Sequence, residues 1–201
     1  MESWSGGGVG LTVETLRQGL SREICLPRAV SWTMGVAIFA ALTTLGAFVR
    51  IPLPFTPVPI TLQTFFVLLG GALLGSAAGF SSQSLYLVLG IGGLSVFAGA
   101  RGGLSHLAGP TGGYLIGFVV AAYLVGKMVE KRDSSTWLIL AALAGTGIIY
   151  FFGAVRLAHF LRIGIRQTLY LGVIPFLPGD VLKIISVALV YKVVRARHRA
   201  R

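Results

Sequence analysis

Long apolar runs alternate along this chain with short polar or proline-rich breaks. The runs read as six membrane-crossing helices at about 31–49, 60–80, 82–98, 112–129, 136–158 and 174–194, each near the roughly 20 residues needed to cross the hydrocarbon layer. The third and fourth are rich in glycine, as is common where membrane helices pack closely. Gly90, Gly92 and Gly93 are expected to end the third helix early. Residues 1–30 place Leu11, Leu16 and Leu20 among polar and charged positions without an apolar core. That pattern is not a cleavable signal peptide. It fits either a short helix lying on the membrane surface or a flexible tail. The expected organisation is an N-terminal cytoplasmic or interfacial segment (1–30), a six-helix transmembrane domain (31–194) and a basic tail (195–201).

Composition turns the pattern into a class. Apolar residues make up 55% and charged residues 11% of the 201 positions, with a mean hydropathy of +0.84. A soluble domain carries about 25% charged residues to present a wetted surface. The expected fold class is therefore an all-α membrane protein. The net charge of +11 does not point to nucleic acid, because the basic residues fall at segment ends rather than in one patch. With six crossings, Arg17, Arg22, Arg28, Lys127, Lys131, Arg132, Lys192, Arg195, Arg197, Arg199 and Arg201 share one side. Arg50, Arg101, Arg156, Arg162 and Arg166 share the other. The excess places both termini in the cytoplasm. Cys25 is the only cysteine, which excludes an intrachain disulfide and a cysteine-based metal site.

Of the six acidic residues, Glu2, Glu14, Glu23, Glu130 and Asp133 lie in the cytoplasmic segments, leaving Asp180 alone within the membrane domain. Lys183 follows on the same helical face. A charge at the bilayer centre costs about 2.5–3.5 kcal/mol on insertion scales. The pair either snorkels at a helix end and neutralises itself, or forms a polar site facing the bundle interior. Pro175, Pro178 and Gly179 favour the site, because irregular backbone at that depth is tolerated inside protein or beside a wet cavity. The stretch RIPLPFTPVP from Arg50 cannot be helical. It is either a spacer or, given Ile51, Leu53, Phe55 and Val58, a lid folded over an apolar space.

The run AGPTGGY at 108–114 lacks the Gly-Lys-Ser/Thr ending of a phosphate-binding loop. It reads as a tight turn at Gly109 and Pro110 leading into the fourth helix. Ser105 beside His106 is a poor nucleophile pair, since adjacent side chains rarely face each other and no acid orients the histidine. Small residues recur at four-residue spacing: Ala37 and Ala41 in the first helix, and Gly71, Gly75 and Gly79 on one face of the second. Such faces pack within a bundle or dock another membrane protein.

The stretches RIPLPFTPVPITLQTFFVLLGGALLG, GGLSVFAGARGGLSHLAGPTGGYLIGF and GVIPFLPGDVLKI closely resemble the biotin-specific S component, BioY type, of energy-coupling factor (ECF) transporters. The likeness is collinear from about residue 35 to 194. It implies a six-helix S-component bundle in a prokaryotic cell membrane, with biotin as transported ligand and no cofactor or metal. It further implies docking to a transmembrane T component through Ala37 and Ala41, with energy from two cytoplasmic ATPases. Asp180 and Lys183 match the family's Asp-x-x-Lys pair that contacts biotin. Arg101 falls in a loop where the family uses a basic residue, and Gln83 and Tyr86 fall near a further motif. Tyr114, Tyr150 and Phe97 suit the ring and chain of the ligand. The remaining readings are an S component for another small vitamin, a membrane enzyme and a channel. The enzyme lacks paired carboxylates, a metal cluster or a nucleophile with its base.

Overall fold

The computed structural model describes residues 28–132 and 134–199. The surface helix considered for the N-terminal segment lies outside them, as does the end of the basic tail. The chain divides into Met1–Ser31 and Trp32–Arg201, and only the first turn of α1 is described in the former. In order come α1 (Arg28–Phe48), β1 (Arg50–Ile51), β2 (Ile60–Thr61), α2 (Gln63–Leu74) and α3 (Ser76–Ile91). They are followed by α4 (Leu104–Leu107), α5 (Gly112–Lys131), α6 (Ser135–Leu161), α7 (Ile165–Gly172), a 3₁₀ turn (Ile174–Phe176) and α8 (Leu177–Arg199).

Four described stretches have the length and hydropathy to cross a membrane: Ala29–Phe48, Gly112–Lys131, Ser135–Leu161 and Ile165–Arg197. The second and third expected segments divide differently from the sequence reading. The run 60–80 is not one helix, because the backbone turns at Gly75 with φ +84°, leaving α2 with 12 residues and α3 with 16. Helices of those lengths rise about 18 and 24 Å. Gly71, Gly75 and Gly79 therefore do not line one helix face. They form the inside of a bend into which α5 is pressed: a Cβ on Gly71 would stand 2.5 Å from the Ala122 carbonyl oxygen. Across the bend, Glu130 of α5 accepts the Ser76 N–H at 2.6 Å and the Ser76 hydroxyl at 2.9 Å. A carboxylate there answers the free N–H groups and positive end of α3.

Helix α5 is the hub, with Ala121, Ala122 and Val125 fully buried against α2, α3 and α6. Beside the bend, Phe39, Leu68, Leu138 and Val187 pack into one apolar cluster. Towards the opposite end, Val67, Phe97, Phe118, Ile149 and Phe176 belong to a second. There α3 ends at Ile91, with Gly93 at φ +98°, in keeping with the early stop expected from its glycines.

The proline-rich stretch forms a small antiparallel hairpin, pairing Arg50 with Thr61 and Ile51 with Ile60. Its base is fastened to α1, since the Leu62 N–H donates to the carbonyls of Gly46 and Val49, each at 3.1 Å. Val58 and Thr56 turn inward and are buried. The hairpin thus folds back over the bundle end.

Candidate functional site

Below the hairpin lies a cavity whose walls come from every part of this end of the bundle. Val58, Pro59 and Thr61 roof it, while Gln63 and Thr64 enter from α2. Ala98, His106 and Thr111 come from the loop region, Tyr114, Leu115 and Phe118 from α5, and Ile149 and Tyr150 from α6. Phe176, Asp180 and Lys183 close it from the 3₁₀ turn and α8. Most of the lining is apolar, with the polar groups gathered on one side, the arrangement usual for small-molecule sites.

The polar side is a compact network. Asp180 is 4% exposed. Its Oδ1 accepts from Lys183 Nζ at 2.6 Å and from the Thr64 hydroxyl at 3.3 Å. Lys183 Nζ also donates to Thr64 Oγ1 at 2.9 Å, and Tyr150 donates its hydroxyl to Asp180 Oδ2. The local fold explains the placement. Asp180 sits in the first turn of α8, where the helix N-terminus favours a carboxylate. The three-residue spacing then brings Lys183 over the same face. Taking two charges out of water is costly unless the pair is hydrogen-bonded on all sides, and Thr64 and Tyr150 supply those bonds. Asp180 is buried, Lys183 is largely so, and the pair is satisfied, not snorkelling.

The expected site residues separate into groups. Asp180, Lys183, Tyr150 and Tyr114 line one cavity. Tyr114 spends its hydroxyl on the Gly172 carbonyl at 2.7 Å, so it offers the cavity its ring. Gln83 and Tyr86 are buried outside that lining. Gln83 Nε2 donates to Thr43 Oγ1 at 3.1 Å, and its Oε1 has no partner among the described residues. The Tyr86 hydroxyl accepts from Gln63 Nε2 at 2.6 Å, which orients Gln63 at the cavity. Phe97 is also behind the wall, edge-on to Tyr86 and stacked on His106 at 5.1 Å between ring centroids.

Arg101 is exposed and lines an outer space rather than the inner cavity. Its backbone pairs with Phe97, which holds the loop between α3 and α4. Arg156 braces the next loop, donating from Nε to the Gly109 carbonyl at 3.2 Å and from Nη2 to the Ala108 carbonyl. His106 Nε2 lies 3.3 Å from Thr111 Oγ1. Burial first, and then the positive charge of Arg101, lower the His106 pKa below 6.5, so the ring is neutral at physiological pH. Among the polar lining residues, Thr61, Gln63, Thr64 and Thr111 are not singled out by the sequence reading, and His106 enters it only as a poor partner for Ser105. Gln63 and Thr64 carry one usable signal, as polar residues at the mouth of an otherwise apolar run. On α1, Ala37 and Ala41 are both exposed.

The model of the BioY family matches residues 21–200. The biotin transporter BioY of Thermotoga maritima is 42% identical over 153 residues, covering 76% of this chain and 89% of that protein. A probable biotin transporter BioY of Pyrococcus horikoshii is 43% identical over 148 residues, 74% of this chain and 86% of that one. A crystal structure of the S-component for biotin from an ECF-type ABC transporter superposes with a TM-score of 0.79 at 29% identity. That superposition covers 84% of this chain and 93% of the other.

Proposed function

The chain belongs to the BioY family, and on that premise we propose that it is the biotin-binding S subunit of an ECF-type uptake transporter. The observation that carries the reading is the family match along residues 21–200. The cavity supports it chemically. Biotin presents a ureido group with two N–H donors and one carbonyl, an apolar thioether ring, and a carboxylate tail. A carboxylate offers about four lone-pair directions, and three on Asp180 are occupied by Lys183, Thr64 and Tyr150. The one left free accepts a ureido N–H, and the remaining N–H of Lys183 answers the carbonyl. Tyr114, Phe118, Ile149 and Phe176 receive the ring. Arg101 is assigned to the ligand's tail. Gln83 and Tyr86 are assigned a supporting part, with Tyr86 holding Gln63 in place.

Purified protein is expected to retain biotin at nanomolar concentration and to lose it to excess biotin but not to thiamine or riboflavin. Displacement by either of those vitamins instead would favour an S component of another specificity. Failure to retain biotin sinks the reading.

The topology proposed is six crossings by α1, α2, α3, α5, α6 and α8, with both termini cytoplasmic, which keeps most basic residues on one side. The partners proposed are a transmembrane T component and two cytoplasmic ATPases that supply the energy for import. Ala37 and Ala41 are proposed to face the T component, since a smooth alanine strip lets two helices approach closely. Ala41→Trp is expected to abolish co-purification with the T component while leaving biotin binding intact. A complex that survives the substitution removes this face from the interface.

A further inference from the structure

Outside the inner cavity, the space beneath the hairpin continues into an outer chamber lined by Arg50, Leu53, Pro57 and Arg101. The two spaces share His106 and Thr111, whose side chains meet across the boundary. His106 stacks there on the buried Phe97, so the boundary between the two spaces is lined by a packed ring. Two guanidinium groups thus stand on the outer side of a neutral neck.

Neither guanidinium is neutralised by a described residue. Among the described residues, the side chains of Arg50 and Arg101 have no hydrogen bond or ion pair. The only acidic side chains described are Glu130 and Asp180. Glu130 caps α3 at the far end of the bundle, and Asp180 is held by Lys183 within the inner cavity. Arg50 is also well placed. It begins β1, directly across from Thr61 of the inner lining. Its Nη1 lies 2.7 Å from where a Cβ on Gly99 would be. Gly99, at φ +85°, leaves open the space that lets the guanidinium lie against the loop that carries Arg101.

We propose that Arg50 makes the outer chamber a carboxylate-selecting site, acting with Arg101 on the ligand's tail after it passes the His106–Thr111 neck. This deepens the biotin reading and rests on it. The inner network is electrically balanced and suits the uncharged bicyclic end, whereas the outer chamber has unbalanced positive charge and suits an anion. A guanidinium binds a carboxylate through charge-assisted hydrogen bonds. At an exposed position that attraction weakens with salt.

The test compares biotin with its neutral methyl ester on the purified full-length chain in detergent or nanodiscs. Wild type is expected to favour the acid by about tenfold, the size of one good charge-assisted contact. Arg50→Gln is expected to shrink that preference at least about threefold at low salt, with ester affinity unchanged, as for loss of a partly exposed pair. Arg50→Lys should keep part of the preference, and raising salt should reduce it in wild type. A preference unchanged in Arg50→Gln overturns the proposal. Equal weakening of acid and ester also overturns it, since Arg50 would then only brace the hairpin. Wild type that binds neither compound overturns the biotin reading together with this one. Binding of biotin with an unaltered preference in the variant overturns this one alone.

Discussion

Helix α2 joins two very different ends of the bundle. At its C-terminus the chain bends at Gly75, and α5 is pressed backbone to backbone against α2 and α3. A Cβ on Gly126 would stand 2.4 Å from the Ser76 nitrogen. At its N-terminus the helices stand apart, and a proline-rich hairpin, a short helix and a 3₁₀ turn enclose a cavity instead. Both ends contain an acid that receives hydrogen bonds from a neighbouring helix, Glu130 from α3 and Asp180 from α2 and α6. Glu130 is exposed and joins helix to helix, while Asp180 is buried and faces a cavity. The difference teaches that tight packing and a binding site make opposite demands on the same helices. Small residues close one end so that larger side chains can leave the other open.

The strongest way to break the comparison is at Asp180. Asp180→Asn leaves the largely buried Lys183 without its counter-charge, which is expected to cost about 3 kcal/mol of stability and weaken biotin binding about tenfold or more. Adding Lys183→Met should restore most of the stability and none of the binding, as read by thermal unfolding and ligand titration. Recovery of both would mean that the pair is structural only. At the closed end, Gly126→Ala is expected to cost about 2 kcal/mol by forcing backbones apart, while biotin affinity of the folded protein stays unchanged. A loss of affinity as large as the loss of stability would show that the two ends are not independent.

The smallest expected effect concerns pH. The folded pKa of His106 lies below 6.5 because of burial and Arg101, so the native state favours the neutral ring. Its contribution is fully present above pH 6.5 and is lost as pH falls through the lowered folded value. Thermal stability measured from pH 7.5 to 5 should decline less in His106→Gln than in wild type. Identical slopes would remove His106 as the titrating group.

Much of this was legible from sequence patterning, for stated reasons. Helices α1, α5 and α6 are continuous apolar runs with clear stops, and Ser134 caps α6 by accepting the Trp137 N–H at 3.2 Å. Asp180 and Lys183 stood out because an acid in an apolar segment is costly. The bend at Gly75 was not legible, since small and apolar residues run through it and hydrophobic patterning registers no break. What stabilises the bend is Glu130, 54 residues beyond the Ser76 it caps. Thr64 was hidden likewise: its partners Asp180 and Lys183 lie 116 and 119 residues later, and only the fold brings them together. That Arg101 faces the outer chamber and not the inner cavity was hidden for the same reason, since the loop's path is set by the fold.

The hydrogen-bonded cluster around Asp180 has a consequence for exchange. Its carboxylate receives three donors and its ammonium meets two acceptors, so the residues act as placeholders for one another. A stray ion or a misshapen solute finds few open valences there and must displace bonds that are already good. A solute that fits adds contacts without dismantling them. A cluster built this way discriminates by refusing to reward partial matches.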